Sequence, residues 1–140
     1  MIELSPMIAA ARPAYTSVLP VRWGEMDAMR HVNNAMYLRL MEENRIEWFQ
    51  SIGTNLGAPK GHMPVMVNIY CEYLRPITWP AAVETAIYVG ELGRSSVQTF
   101  HTLDVGGSRC AQSAVKLVWI DVATGKSVPL PENVRSVLAG

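Results

Sequence analysis

The 140-residue sequence predicts an α+β fold in which a five-stranded, largely antiparallel sheet wraps one long central helix. Three observations predict it. Residues 35–52 carry Tyr37, Met41, Asn44, Trp48 and Ile52 at steps of four, three, four and four, so these side chains share one helical face. Five further segments have strand length and an alternating or apolar pattern, one before the helix and four after it. The links between the last four are of hairpin length, too short for parallel crossovers. A twisted antiparallel sheet and a helix, each with one apolar face, supply the cover that the other lacks.

Residues 1–13 read as a loosely ordered, flexible N-terminal arm, and residues 14–140 as a single domain. The arm has an apolar patch, but Glu3, Pro6 and the missing basic start argue against a signal peptide. In 14–22, Tyr15, Ser17, Leu19 and Val21 alternate with Thr16, Val18 and Arg22, a strand in which Pro20 marks an edge position or a bulge. A polar turn spans 23–33. The helix runs from about Ala35 to Ile52, with Asn33 or Asn34 as N-cap and Gly53 as the residue that ends it.

Residues 54–62, rich in Gly and Pro, form a loop. The strand at 64–74 places Val65, Val67, Ile69, Cys71 and Tyr73 on one face, and Arg75–Pro80 breaks it. Strands at 82–92, 95–105 and 109–121 follow, the last two joined by the hairpin signal Gly106-Gly107. Residues 133–138 are either a short terminal helix or a tail.

Composition narrows the function. Hydrophobic residues make up 49% and charged residues 17%, which describes a globular domain rather than a disordered one. The 12 basic residues balance the 12 acidic ones, so there is no basic excess for nucleic acid. No apolar run reaches the roughly 18 residues of a membrane span. These features predict no nucleic-acid or membrane partner and a cytoplasmic location. Cys71 and Cys110 lie in apolar runs and read as buried free thiols. His62 and His101 form no metal-ligand spacing with cysteine or carboxylate, and no phosphate loop, dinucleotide fingerprint or G-x-S-x-G is present. The expectation is no metal, no resident cofactor and no activated serine.

The chemistry concentrates between residues 27 and 34, where Asp27, His31, Asn33 and Asn34 fall within one turn. An Asn cap accepts from the free amides of the first helical turn. Asp27, seven residues before Asn34, is then near exposed N–H groups and the positive end of a helix dipole. A carboxylate there can attack a carbonyl or activate a water, and the helix start can hold the oxyanion. The competing reading is a turn-forming aspartate. His31 is placed to orient a water, bond a leaving group or cap the turn. Glu42 and Glu43 are a second carboxylate pair, but pairing with Arg39 and Arg45 along the helix surface explains them. Arg94, Ser95 and Ser96 suit a phosphate, or an ordinary turn.

The run D-A-M-R-H-V-N-N-A-M-Y, followed by L-x-x-M-E-E-x-R-I-E-W-F, resembles the acyl-CoA thioesterases of the 4-hydroxybenzoyl-CoA thioesterase family, which are hotdog-fold proteins. The resemblance continues more weakly through Y-L-R-P (73–76) and E-L-G-R-S-S (91–96) and spans most of residues 15–121. It implies that Asp27 attacks the thioester carbonyl or activates a water, and that a backbone N–H near Asn34 polarises that carbonyl. It implies that Arg94, Ser95 and Ser96 lie close to the CoA moiety of an acyl-CoA substrate. It also implies a site built between subunits, hence a homodimer or homotetramer. Classical members often differ at the positions of His31 and Asn33, so the resemblance gives these two no defined role. Two alternatives share the scaffold, a non-catalytic acyl-thioester binder and a hotdog hydratase or dehydratase. The hydratase pattern G-D-x-N-P-x-H separates Asp and His by five, whereas Asp27 and His31 are four apart with no Asn-Pro between them.

Overall fold

A computed structural model describes residues 2–54, 56–57 and 60–140; Asn55, Ala58 and Pro59 of the expected loop, and Met1 of the expected arm, lie outside the described residues. In chain order the elements are α1 (Leu4–Ala10), β1 (Arg12–Pro20), a 3₁₀ turn (Trp23–Glu25), α2 (Asn34–Ser51), β2 (His62–Tyr73), β3 (Ala82–Leu92), β4 (Ser96–Val105), β5 (Ser108–Asp121) and α3 (Glu132–Ala139). The strands form one antiparallel sheet in the order β1-β3-β4-β5-β2. With α2 on its inner face this is the hotdog arrangement.

Alternation along the three central strands builds that inner face. Val83, Thr85, Ile87 and Val89 on β3, Val97, Thr99, His101 and Leu103 on β4, and Ala111, Ser113, Val115, Leu117 and Trp119 on β5 are all buried. Cross-strand pairs such as Ile87↔His101 and His101↔Ser113 keep them on one side. The helix answers with Tyr37, Leu40, Met41, Asn44, Arg45, Trp48 and Phe49, a stripe at three- and four-residue steps.

The core is divided. One apolar cluster gathers Tyr37, Leu40 and Met41 with Val21, Val32, Ile77, Val83 and Leu103 at the start of α2. A second gathers Trp48 and Phe49 with Ile87, Val97, Leu117, Trp119 and Val134 at its end. Between them lies a polar belt. Asn44 Nδ2 donates to Ser17 Oγ at 3.0 Å, Ser17 and Thr85 hydroxyls meet at 2.8 Å, and Arg45 Nη1 lies 3.2 Å from His101 Nε2. Arg45 is therefore a core residue; among the described residues it makes no ion pair with Glu42 or Glu43, which the spacing suggests, although the Glu42 charge still acts on it. The side chain is long enough to turn inward, and its guanidinium meets His101 rather than a surface carboxylate.

Three expectations need correction. Residues 4–10 do not belong to a loose arm. They form α1, which buries Leu4 and Ile8 against Phe100 on the outer face of the sheet. Pro6 is tolerated because it falls in the first turn, where its missing N–H has no helical acceptor. The second correction is in β2, where a bulge between Met66 and Asn68 shifts the register by one. Pro64 and Met66 therefore share the face of Ile69, Cys71 and Tyr73, opposite Trp119, Leu117, Val115, Ser113 and Ala111, and Val65 and Val67 do not. Third, β1 starts at Arg12, ahead of the expected residue 14.

At the other terminus, the open alternative resolves to a helix. α3 closes the far end of the core with Val134 and Leu138, and the Arg12 guanidinium donates to the Leu138 carbonyl.

Candidate active site at the start of the central helix

The chain enters the site through a turn closed by backbone. Met26 and Val32 form an antiparallel bridge, Asp27 N–H donates to His31 C=O at 2.9 Å, and Arg30 N–H donates to Asp27 C=O at 3.0 Å. Arg30 takes φ 63°, the left-handed conformation that so tight a reversal requires. Asp27 Oδ1 accepts from Met29 N–H at 2.9 Å, a local Asx turn. Its Oδ2 accepts no hydrogen bond from the described residues. The residue is half-buried, and its carboxylate is held by one oxygen through an exposed bond.

Asn33 is the N-cap. Its backbone is extended at φ −61°, ψ 144°, and its Oδ1 accepts from Ala35 N–H at 2.9 Å. Asn34 is the first helical residue. No acidic side chain stands in the first turn of α2 to offset the positive end of its dipole. The Asn34 carbonyl accepts from the Tyr73 hydroxyl at 3.2 Å.

Beside this helix start is a cleft of about 220 Å³, lined by His31, Val32, Asn34, Tyr37, Tyr73, Leu74, Arg75 and Pro76. His31 and Asn34 are therefore brought together. Asp27 and Asn33 flank the cleft through the same turn without lining it. Burial raises the pKa of the Tyr37 and Tyr73 phenols and of the Cys71 thiol, so these groups stay protonated at neutral pH and none offers an anionic nucleophile.

Arg94, Ser95 and Ser96 are elsewhere. Arg94 and Ser95 lie in the turn between β3 and β4, and Ser96 is the first residue of β4. The opposite end of β3, at Ala82, pairs with Pro20 next to the Asp27 turn. Ten residues of extended chain separate Ala82 from Leu92, about 30 Å at a rise of about 3.3 Å per residue. The turn is fixed by its own backbone. Leu130 N–H donates to Arg94 C=O at 2.9 Å, Trp119 N–H to Ser95 C=O at 2.8 Å, and Arg135 Nη2 to Gly93 C=O at 2.8 Å. The Arg94 side chain is left exposed. One chain does not bring this turn to Asp27.

Glu42 and Glu43 line a larger groove, of about 530 Å³, between α2 and the end of β1, with Leu19, Arg22, Glu25 and Arg39. It includes neither Asp27, His31 nor Asn34. Among the described residues no group of three or more His, Cys, Asp or Glu side chains is arranged to hold a metal ion. No helix of the described residues is long and apolar enough to cross a membrane.

Sequence reasoning missed the far wall of the cleft, Tyr73 to Pro76. The signal was present in Y-L-R-P, but nothing in its spacing places it against a helix start 39 residues before Tyr73.

The fold and the family that the sequence matches define a class. A family model for the thioesterase-like superfamily matches residues 21–138, and the chain belongs to that superfamily. Its relatives agree. It is 28% identical over 123 residues to the long-chain acyl-CoA thioesterase FadM of Escherichia coli strain K12, covering 86% of this chain and 93% of FadM. Among solved structures, the PA2801 protein of Pseudomonas aeruginosa is 37% identical with a TM-score of 0.83, over 89% of this chain and 98% of that one. A thioesterase of Thermus thermophilus, solved with coenzyme A and Zn, is 32% identical with a TM-score of 0.81, over 90% of this chain and 92% of that one.

Proposed function

We propose that this protein is an acyl-CoA thioesterase that hydrolyses an acyl-CoA to a free acid and CoA. The observation that carries the proposal is the start of α2. Asn34, its first residue, lines a cleft together with His31, and the Asp27 carboxylate stands in the same backbone-closed turn. Membership of the superfamily and the likeness to FadM support the reaction class.

Asp27 acts in one of two ways. As a base it takes a proton from water while the water oxygen bonds to the thioester carbon. The carbonyl oxygen becomes an oxyanion facing the Asn34 N–H, the carbon–sulfur bond breaks, and the CoA thiolate takes the proton back from Asp27. As a nucleophile, Asp27 forms a mixed anhydride, CoA leaves as the thiolate, and water then cleaves the anhydride. His31, in the cleft, is suited to orient the water or to bond the leaving sulfur, and the Asn33 cap fixes the helix start. The donor at the oxyanion position, the Asn34 N–H, is a backbone group fixed before substrate arrives, so no reorganisation is needed when the charge develops.

Arg94, Ser95 and Ser96 serve the CoA moiety from a second copy of the chain, because in one copy they stand at the far end of β3 from the Pro20 that leads into the Asp27 turn. Such a site requires at least a homodimer. The expected compartment is the cytoplasm. Thiol release, followed with a panel of aromatic and short to long aliphatic acyl-CoAs, tests the reaction. Turnover of at least one member is expected. Hydration of an enoyl-CoA without thiol release, or acyl-CoA binding without turnover, contradicts it.

A further inference from the structure

Two tyrosines tie the start of α2 to the rest of the fold, and the chemistry proposed above uses neither. Tyr37 lies one turn into the helix and is 3% exposed. Its hydroxyl has both its partners on one short segment. It accepts from Ile77 N–H at 2.8 Å and donates to Arg75 C=O at 3.2 Å. Ile77 is also buried, and its carbonyl accepts from Val32 N–H at 2.8 Å. Val32 in turn bridges Met26 and so closes the turn that holds Asp27 and His31. A hydrogen-bonded path therefore runs from the Tyr37 hydroxyl through Ile77 and Val32 to that turn.

Tyr73 adds a second tie. Its hydroxyl donates to Asn34 C=O, on the residue whose N–H faces the substrate carbonyl in the proposed reaction. Its ring meets that of Tyr37 edge-on, with centroids 5.1 Å apart. A core tyrosine needs only some partner for its hydroxyl. Here both phenols find partners on the two backbone pieces whose relative position sets the distance between the turn and the helix amides. Both hydroxyls remain protonated donors, since burial raises their pKa.

We propose that Tyr37 is a positioning residue for thioester hydrolysis: through Ile77 and Val32 it fixes the Asp27–His31 turn against the first amides of α2, while Tyr73 orients the Asn34 residue. The proposal rests on the thioesterase reading.

Tyr37→Phe and Tyr73→Phe in the full chain test it, by acyl-CoA turnover and by residue-resolved amide exchange. Tyr37→Phe is expected to leave KM near the wild-type value and to lower kcat by about 10²-fold, the penalty of a displacement on the order of 1 Å. Amide exchange should speed up at Ile77 and Val32 and stay unchanged at Val97 and Val115 in the middle of the sheet. Tyr73→Phe should lower kcat by less, again with KM held. A wild-type kcat in Tyr37→Phe, or unchanged exchange at Ile77 and Val32, overturns the proposal while leaving the thioesterase reading in place. If Tyr37→Phe does not fold, Tyr73→Phe decides: its hydroxyl partner remains within reach of water, so the variant folds, and a wild-type kcat there overturns the proposal. A wild type that releases no thiol overturns the thioesterase reading and this proposal with it.

Discussion

His101 has no part in the proposed chemistry, yet it is fully buried between the two apolar clusters, with Arg45 at 3.2 Å from its Nε2. An arginine only donates, so Nε2 accepts and the proton sits on Nδ1. Burial, and then the Arg45 charge, push its pKa well below 6.5. The folded state therefore holds His101 neutral, while the unfolded chain protonates it below about pH 6.5. The unfolded state binds more protons, so stability falls as pH drops through that value, by up to about 1.4 kcal/mol per pH unit. Urea unfolding of the wild type at about pH 7.5 and about pH 5.5 should show this loss, and His101→Gln should lack it. At this scale the sequence revealed the residues that are local to one turn. Asp27, His31, Asn33 and Asn34 lie so close in the chain that a turn and a cap suffice to gather them. Arg45 was misjudged because a helix pattern shows which residues neighbour one another, and not that a long cation can turn inward beneath them.

At the scale of elements, periodicity located all five strands and the long helix to within about two residues at most ends, because their apolar alternation is sustained over many positions. Two features left no such trace. The bulge in β2 changes which side chains share a face without changing composition, so Val65 and Val67 read as sharing the face of Ile69, Cys71 and Tyr73, where Pro64 and Met66 stand instead. α1 has seven residues and a proline, too short for a period to show. Its anchors are two side chains one helical turn apart, Leu4 and Ile8, that meet Phe100. If α1 is an integral part of the fold, Leu4→Ala should destabilise the protein by about 2–5 kcal/mol. Denaturant titration checks this, and a loss below about 0.5 kcal/mol, the range of surface substitutions, would mean that the element contributes little.

For the whole molecule, one of the two open edges of the sheet, β2, is decisive. β2 has a neighbour on one side only, and around it Met66, Val67, Tyr70, Tyr73 and Leu74 are exposed, with Val67 at 52%. An apolar edge strand of this kind is a template for pairing with another chain. Light scattering after size exclusion should give a dimer or larger. Val67→Lys, which puts a charge on that edge, should shift the protein toward monomer and reduce turnover in parallel. A monomeric wild type that is fully active would contradict a site completed by a second copy. The long-range parts of the site were the least legible in the sequence for the same reason. Tyr73 and Arg75 reach the helix start only through the sheet's return, and Arg94 stands at the opposite end of β3 from it.

The most direct test is turnover by Asp27→Asn with an acyl-CoA that the wild type hydrolyses. The substitution keeps the side chain's size and the oxygen that accepts from Met29 N–H, and removes only the carboxylate. The predicted result is a fall in kcat of about three orders of magnitude or more with CoA binding retained. A variant that keeps most of its rate would contradict the central role of Asp27.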